Sequence, residues 1–183
     1  ELDALFDRPH PQHPSHGDHL LAALQKAVEL SPQRHIRFAS LMNNTSEPSA
    51  SAEDKLREAC RRLATPKAYR DLALAVCRDQ QHAAQLPDLS GAQLLSLLQR
   101  LDALRRPEKM QDFLICCEAE KQLSSASQGR GAFPLASHLQ QALKLCLAVT
   151  AKDLVAEGLS GKAIGDTLQQ RRLEQLNQLQ QAH

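Results

Sequence analysis

Leucine and alanine recur at helical spacing along almost the entire chain, and this feature restricts the fold more than any other. Aromatic residues are few, with four Phe, one Tyr and no Trp among 183 residues. Gln, Glu, Lys and Arg surround the apolar positions. These residues favour helices, whereas the β-branched and aromatic residues that favour strands are scarce. The sequence therefore predicts an all-α fold, a multi-helix bundle with a C-terminal helical tail.

Proline, serine and glycine mark where the predicted helices begin and end. The predicted ranges are 17–30, 35–42, 51–63, 66–85, 90–104, 107–123, 135–149, 151–157 and 161–180. Ser31-Pro32 and Pro87 end helices, while Ser51, Thr65-Pro66 and Ser90 begin them. We predict three regions: a linker rich in Pro and His over 1–16, a helical core over 17–123 and a C-terminal helical lobe over 124–183.

Charge and cysteine content narrow the classes of function. The formal net charge is +1, so any contact with nucleic acid has to come from a local basic patch. No apolar run is long enough to cross a membrane. The five cysteines form no CxxC pair and fall in helical segments, which favours reduced, buried thiols in a cytoplasmic protein. The chain begins at Glu1 without a methionine, and we interpret it as part of a longer protein. The sequence leaves homo-oligomerisation open.

Histidines recur every three residues near the N-terminus, at His10, His13, His16 and His19, with prolines between them. A polyproline II helix has three residues per turn, so these side chains could share one face. One interpretation is adventitious binding of metal or phosphate. We favour the other, a solvated linker.

An ordered set of short segments carries a resemblance to a known family. The segment from Arg37 to Asn44, Arg-Phe-Ala-Ser-Leu-Met-Asn-Asn, resembles the one that carries the His-Asp (HD) pair of metal-dependent phosphohydrolases, but asparagines occupy both positions. The other segments are His19-Leu20-Leu21, Thr65-Pro66, Asp71-Leu72-Ala73, 101–108, 117–120 and 158–164. Together they resemble the C-terminal part of a bacterial CCA-adding tRNA nucleotidyltransferase, in which an HD domain follows a helical body.

The resemblance implies a degenerate metal site. It places His19 at the first ligand position, Asn43 and Asn44 at the middle positions and Asp102 at the last; we call these four the vestigial metal positions. An amide oxygen is a poor substitute for imidazole or carboxylate as a ligand. The loop that follows is short and has no His. We therefore predict no phosphohydrolase activity and no tight metal site. The alternatives are structural: His19 packs at a helix start, and Asp102 pairs with Arg105 or Arg106.

The resemblance also implies tRNA as a partner in the full-length protein. Proteins grip tRNA largely through phosphates, using Lys and Arg on helices. The candidate contacts are Arg61, Arg62, Arg70, Arg105, Arg106, Arg171 and Arg172. Acidic residues accompany each group, so the alternative interpretation is a solvated face of mixed charge.

The residues of nucleotide addition are absent from this sequence. It has no Gly-Ser dipeptide and no Asp-x-Asp pair, which the family uses on strands to hold Mg²⁺ with CTP or ATP. We expect that chemistry in a head outside this chain, and no cofactor within it. Three hypotheses follow: a C-terminal helical domain of a CCA-adding enzyme that serves as tRNA-binding or structural scaffold, a metal-dependent phosphohydrolase, and a helical interaction module unrelated to tRNA.

Overall fold

Caps and prolines set the helix boundaries in the computed structural model, which describes residues 15–43, 50–84, 89–124 and 134–181. The helices are α1 (His16–Leu30), α2 (Arg34–Leu41), α3 (Ala50–Arg62), α4 (Lys67–Ala84), α5 (Gly91–Arg100), α6 (Pro107–Ser124), α7 (Pro134–Ala148), α8 (Ala151–Ala156) and α9 (Lys162–Gln181). Those ranges contain no strand, and the predicted all-α fold is confirmed.

Side-chain caps explain where several helices begin. The Ser15 hydroxyl accepts a hydrogen bond from the Asp18 amide at 3.1 Å, so α1 starts at His16. We had expected His16 in an extended linker, but it lies in the first turn of α1 and is 1% exposed. Residues 1–14 of the predicted linker lie outside the described residues. Ser90 and Gln93 form a reciprocal capping box at α5. Ser51 lies inside α3 instead of capping it, since that helix begins at Ala50.

Three helices end in the same left-handed turn. After α8, the Gly158 amide donates to Val155 O and the Leu159 amide to Leu154 O, both at 3.0 Å, which is a Schellman motif. Gly158 has a φ of 90°. Ala64 after α3 and Asp102 after α5 occupy the equivalent position, with φ of 47° and 55°. The turn at Asp102 ends α5 at Arg100, earlier than the predicted 104.

The chain divides into two compact units, one of Glu1–Gln81 and Gln111–Ala132, the other of His82–Met110 and Phe133–His183. The predicted core (17–123) and lobe (124–183) therefore do not coincide with the observed units. The difference arises because α5 packs on α9, near the C-terminus of the chain. Residues 91–110 thus group with the C-terminal helices.

The core of the first unit surrounds α6. Buried positions on this helix follow one another closely, at Phe113, Leu114, Cys116, Cys117 and Ala119. A helix that is apolar around most of its circumference has to be enclosed by others. Buried residues on the other helices of the unit are Leu20, Ala23 and Ala27 of α1, Ile36 and Ala39 of α2, Ala52, Leu56 and Cys60 of α3, and Leu72, Ala73, Val76 and Cys77 of α4. The central helix thus carries these five side chains into the interior.

The second unit is organised around α9, which packs against α5, α7 and α8. The approach to α5 is close enough to require a glycine. A Cβ added to Gly91 would lie 2.9 Å from the backbone nitrogen of Asn177 and 2.3 Å from its Oδ1. Leu94, Leu97 and Leu98 of α5 are fully buried, as is Leu176 of α9. The first turn of α5 therefore sits directly on the backbone of α9.

Candidate functional site

Asn43, one of the vestigial metal positions, lies just after α2 and is 4% exposed. Its Nδ2 donates a hydrogen bond to Oε1 of Gln80 on α4 at 2.5 Å. The Asn43 amide is thus bonded to a second neutral amide. Asn44, the neighbouring vestigial position, lies outside the described residues.

His19, the first vestigial position, is 2% exposed and lies on α1. Its Nε2 is 2.8 Å from Oε1 of Glu120, a half-buried carboxylate on α6. The His16 ring lies one turn earlier, stacked on His19 with a centroid separation of 6.2 Å and an interplanar angle of 22°. The predicted structural alternative for His19, packing at a helix start beside a neighbour, describes this arrangement.

Asp79 is a buried carboxylate that the sequence analysis did not select. It lies on α4 next to Gln80 and is 1% exposed. Its Oδ2 accepts from Arg78, at 2.8 Å from Nε and 2.7 Å from Nη2. A signal for it was present: Leu72, Ala73, Val76 and Cys77 are buried at helical spacing, and the same stripe continues onto Asp79 and Gln80.

We call the following set of side chains the polar cluster: His16, His19, Asn43, Asp79, Gln80 and Glu120. Burial, then the Cys116 thiol and the Glu120 and Asp79 carboxylates, raise the pKa of the Cys117 thiol. Both carboxylates are therefore within electrostatic range of the same sulfur. All members belong to the first unit.

The polar cluster does not fit a divalent metal. A catalytic metal needs several imidazole or carboxylate ligands converging on one point. Across residues 15–43, 50–84, 89–124 and 134–181, no three His, Cys, Asp or Glu side chains are arranged to hold an ion. The Asn43 amide faces Gln80 and the His19 imidazole faces Glu120. The cluster is built from internal pairs instead of a shared ligand set.

Asp102, the last vestigial position, lies in the second unit. Its Oδ2 accepts from Lys109 Nζ at 3.1 Å and is 4.0 Å from Arg106 Nε. The hydrogen bond from Lys109 is the main reason that the pKa of Asp102 is lowered, with Arg105 and Arg106 contributing. Aspartate also tolerates the left-handed backbone found here. Asp102 thus closes the end of α5, and the ion pair that we weighed as its structural explanation is present.

Most of the seven candidate arginines form an ion pair with an acidic residue or a hydrogen bond to a backbone carbonyl. The pairs are Arg61 with Glu58, Arg70 with Asp71, Arg106 with Asp102 and Arg171 with Glu157. Arg172 Nε donates to the Cys146 carbonyl at 2.9 Å, at the end of α7. Arg62 and Arg105 are exposed. The pairing at four positions matches the mixed-charge surface that we weighed against tRNA binding.

The fold and the polar cluster define a helical domain whose interior holds an amide pair and a histidine–carboxylate pair. Comparison with known proteins adds a more specific likeness. The chain is 38% identical to the multifunctional CCA protein of Thioalkalivibrio sulfidiphilus (strain HL-EbGR7) over 196 aligned positions, covering 98% of this chain and 48% of that protein.

Other relatives carry the same name. The multifunctional CCA protein of Teredinibacter turnerae is 36% identical and that of Nitrosococcus oceani 35%, over 100% and 97% of this chain. The chain spans about half the length of these relatives, 48% in each case. It resembles the C-terminal part of a CCA protein. No protein-family profile matches the chain, and no solved structure does. None of the described helices is both long enough and apolar enough to span a membrane.

Proposed function

We propose that this chain is the C-terminal helical domain of a CCA-adding tRNA nucleotidyltransferase, in which an HD phosphohydrolase fold is retained as a scaffold and its hydrolase activity is lost. The observation that carries the proposal is the likeness to multifunctional CCA proteins over essentially the whole chain. The Asn43–Gln80 amide pair supports the loss of hydrolysis, since it occupies a vestigial metal position with neutral groups. Nucleotide addition with Mg²⁺ and CTP or ATP would then belong to the half of the CCA protein that this chain does not span.

The absence of hydrolysis can be tested directly. We expect no turnover of a cyclic phosphodiester or a 3′-terminal phosphate by the chain in Mn²⁺, Ni²⁺, Co²⁺ or Mg²⁺. The reason is that the His19 imidazole lies 2.8 Å from the Glu120 carboxylate and the Asn43 amide is bonded to Gln80. Metal-dependent turnover that disappears in His19→Ala would establish the phosphohydrolase alternative instead.

We propose that tRNA contact, where this domain makes it, uses Arg105 and Arg106 between α5 and α6. Arg105 is exposed, and Arg106 is 57% exposed with only a 4.0 Å contact to Asp102. Arg61 and Arg171, in contrast, each form close pairs with a glutamate, and the Arg172 side chain bonds the end of α7. Cations already paired in this way have less to gain from a phosphate.

Filter binding of tRNA across a salt series tests this assignment. Each phosphate contact contributes about 0.9 to the slope of log affinity against log salt. Replacing Arg105 and Arg106 together by Ala should lower that slope by about 1–2. The matched control is Arg171→Ala, for which we expect an unchanged slope. Equal effects of the two changes would contradict the assignment, and no tRNA binding at low salt would leave only the structural role.

A further inference from the structure

Helix α1 carries apolar side chains on two of its sides. The inner stripe packs in the core of the first unit and consists of Leu20, Ala23 and Ala27. The second stripe is displaced from it by one residue; we call it the outer stripe, and it consists of Leu21, Leu24 and Val28. Successive residues of an α-helix are about 100° apart around the axis, so the two stripes lie side by side and cover nearly half of the circumference. An apolar arc of about 100° is enough for a helix that packs on one core.

The outer stripe is open to solvent. Leu21 is 52% exposed and Val28 is 47% exposed, and Leu24 between them is partly buried. Single exposed leucines are common on protein surfaces, but apolar residues at positions i, i+3 and i+7 are typical of a helix that docks into an apolar groove. The third side of α1 has the polar residues expected of a face in water, at Asp18, Gln25 and Glu29. The apolar surface of α1 thus exceeds what the first unit buries.

The small size of the outer stripe favours a partner that is covalently connected to α1. A stable complex between separate proteins buries about 800 Å² on each partner, far more than three partly exposed side chains can supply. A connected partner needs less surface, because a short connection holds it at an effective concentration in the millimolar range. A second copy of the chain lacks this advantage.

The relatives indicate where a connected partner would lie. The chain resembles the C-terminal part of CCA proteins and spans 48% of their length, so in a protein of that length the remaining part precedes α1. Helix α1 begins at His16, and the fifteen residues before it can extend over at most about 50 Å. The end of the preceding part would therefore stay close to the outer stripe.

We propose that the outer stripe of α1 is an intramolecular docking surface for the part of the CCA protein that precedes this chain, an assignment that rests on the proposed function. The matching surface on that part would be apolar and uncharged, because Leu21, Leu24 and Val28 offer it neither hydrogen bonds nor charge. Docking here would leave the polar side of α1 in water.

Thiol labelling measures whether the outer stripe is covered. The five native cysteines are buried, so a thiol introduced on the surface of α1 should react with a maleimide much faster than they do. Leu21→Cys and Val28→Cys place the thiol on the outer stripe. The matched control is Gln25→Cys, on the polar side of the same helix. Each variant is prepared in this chain alone and in the longer protein, in which the chain follows the preceding part.

Leu21→Cys and Val28→Cys should react in the chain alone about as fast as Gln25→Cys. In the longer protein both should react at least about tenfold more slowly, while Gln25→Cys keeps its rate. Equal rates in the two proteins would overturn the docking surface. Protection in the chain alone would overturn it too: if protection grows with concentration, a second copy covers the stripe, and if it does not, another segment of the same chain does.

CCA addition to tRNA by the longer protein tests the proposed function separately. An active enzyme with an unprotected outer stripe would refute the docking surface alone. A longer protein that adds no nucleotides would refute the proposed function, whatever the labelling rates are.

Discussion

Asn43 Nδ2 lies 2.5 Å from Gln80 Oε1, and this pair of amides links the end of α2 to α4 inside the first unit. Both residues are almost fully buried. Amides carry no charge, so the pair is held by a hydrogen bond from Asn43 to Gln80 and needs neither metal nor counter-ion. Asn43 is thus a structural residue of the present fold.

Replacing Asn43 by Ala should lower the free energy of unfolding by about 1–3 kcal/mol, because Gln80 is left with a buried amide oxygen that lacks its donor. Urea denaturation measures this loss. The double variant Asn43→Ala with Gln80→Leu removes both polar groups. Its loss of unfolding free energy should be smaller than the sum of the losses in the two single variants. Strict additivity would mean that the amide pair is not coupled in solution.

Replacing Ala64 by Gly should stabilise the protein by about 0.5–1 kcal/mol. Ala64 ends α3 with a φ of 47°, a conformation in which its Cβ is strained and glycine is not. Gly158 at the equivalent turn after α8 is the matched control, with a φ of 90° and open space around its Cα. Gly158→Ala should destabilise, and the same sign for both substitutions would show that backbone strain does not determine these effects.

Replacing Gly91 by Ala should destabilise the second unit by about 1–3 kcal/mol through overpacking. The added methyl would meet Asn177, and although the side chain of Asn177 could move, its backbone nitrogen 2.9 Å away could not. The companion variant Gly91→Ala with Asn177→Ala should therefore recover only part of the loss in chemical denaturation. Full recovery would place the clash in the Asn177 side chain alone.

Alkaline conditions should destabilise the fold through its buried thiols. Burial raises the pKa of Cys116 to about 12, from an ordinary value of 9.0. A thiol whose pKa is raised in the folded state contributes its full stability below the unfolded pKa, and this contribution is lost as the pH rises from about 9 towards 12. At pH 10, one such thiol weakens the fold by about 1.4 kcal/mol.

Cys116→Ala removes one of these groups and should reduce the fall in unfolding free energy between pH 8 and pH 10. The substitution also changes packing, but it does so equally at both pH values. The difference in unfolding free energy between pH 8 and pH 10 therefore reports the ionisation of the thiol. Cys146, whose pKa burial raises to about 11, should behave in the same way. An unchanged difference in both variants would mean that these thiols ionise in the folded protein as freely as in the unfolded chain.

Local signals in the sequence allowed the helices to be predicted, but not how the helices pack together. Ser90, Thr65-Pro66 and Pro107 act through the backbone of their own turn, so their effect is legible in the sequence. The packing of α5 on α9 depends instead on a contact between residues more than eighty positions apart, which Gly91 marks in the sequence. The grouping of 82–110 with the C-terminal helices could not be read from it.

The candidate site was predictable only in part, for a similar reason. The family resemblance directed attention to His19 and Asn43, and both lie in the polar cluster. Asp102 was selected for its place in the chain order, but its role in ending α5 depends on a backbone angle that the sequence does not display. Asp79 was missed because acidic residues accompany the basic residues along the chain, and its carboxylate was not distinguished from theirs. Its position on the buried stripe of α4 was the better guide.

The interleaving of the two units affects how the chain can fold as it is synthesised. Residues up to Gln81 leave the ribosome before the segment that begins at Gln111, although both belong to the same unit. The later segment supplies Cys116, Cys117 and Glu120. The intervening stretch takes a few seconds to translate at about 5–20 residues per second. During that interval the buried faces of α1 to α4 have no α6 to pack against. Nascent chains paused within this stretch should therefore be the ones that engage chaperones most strongly.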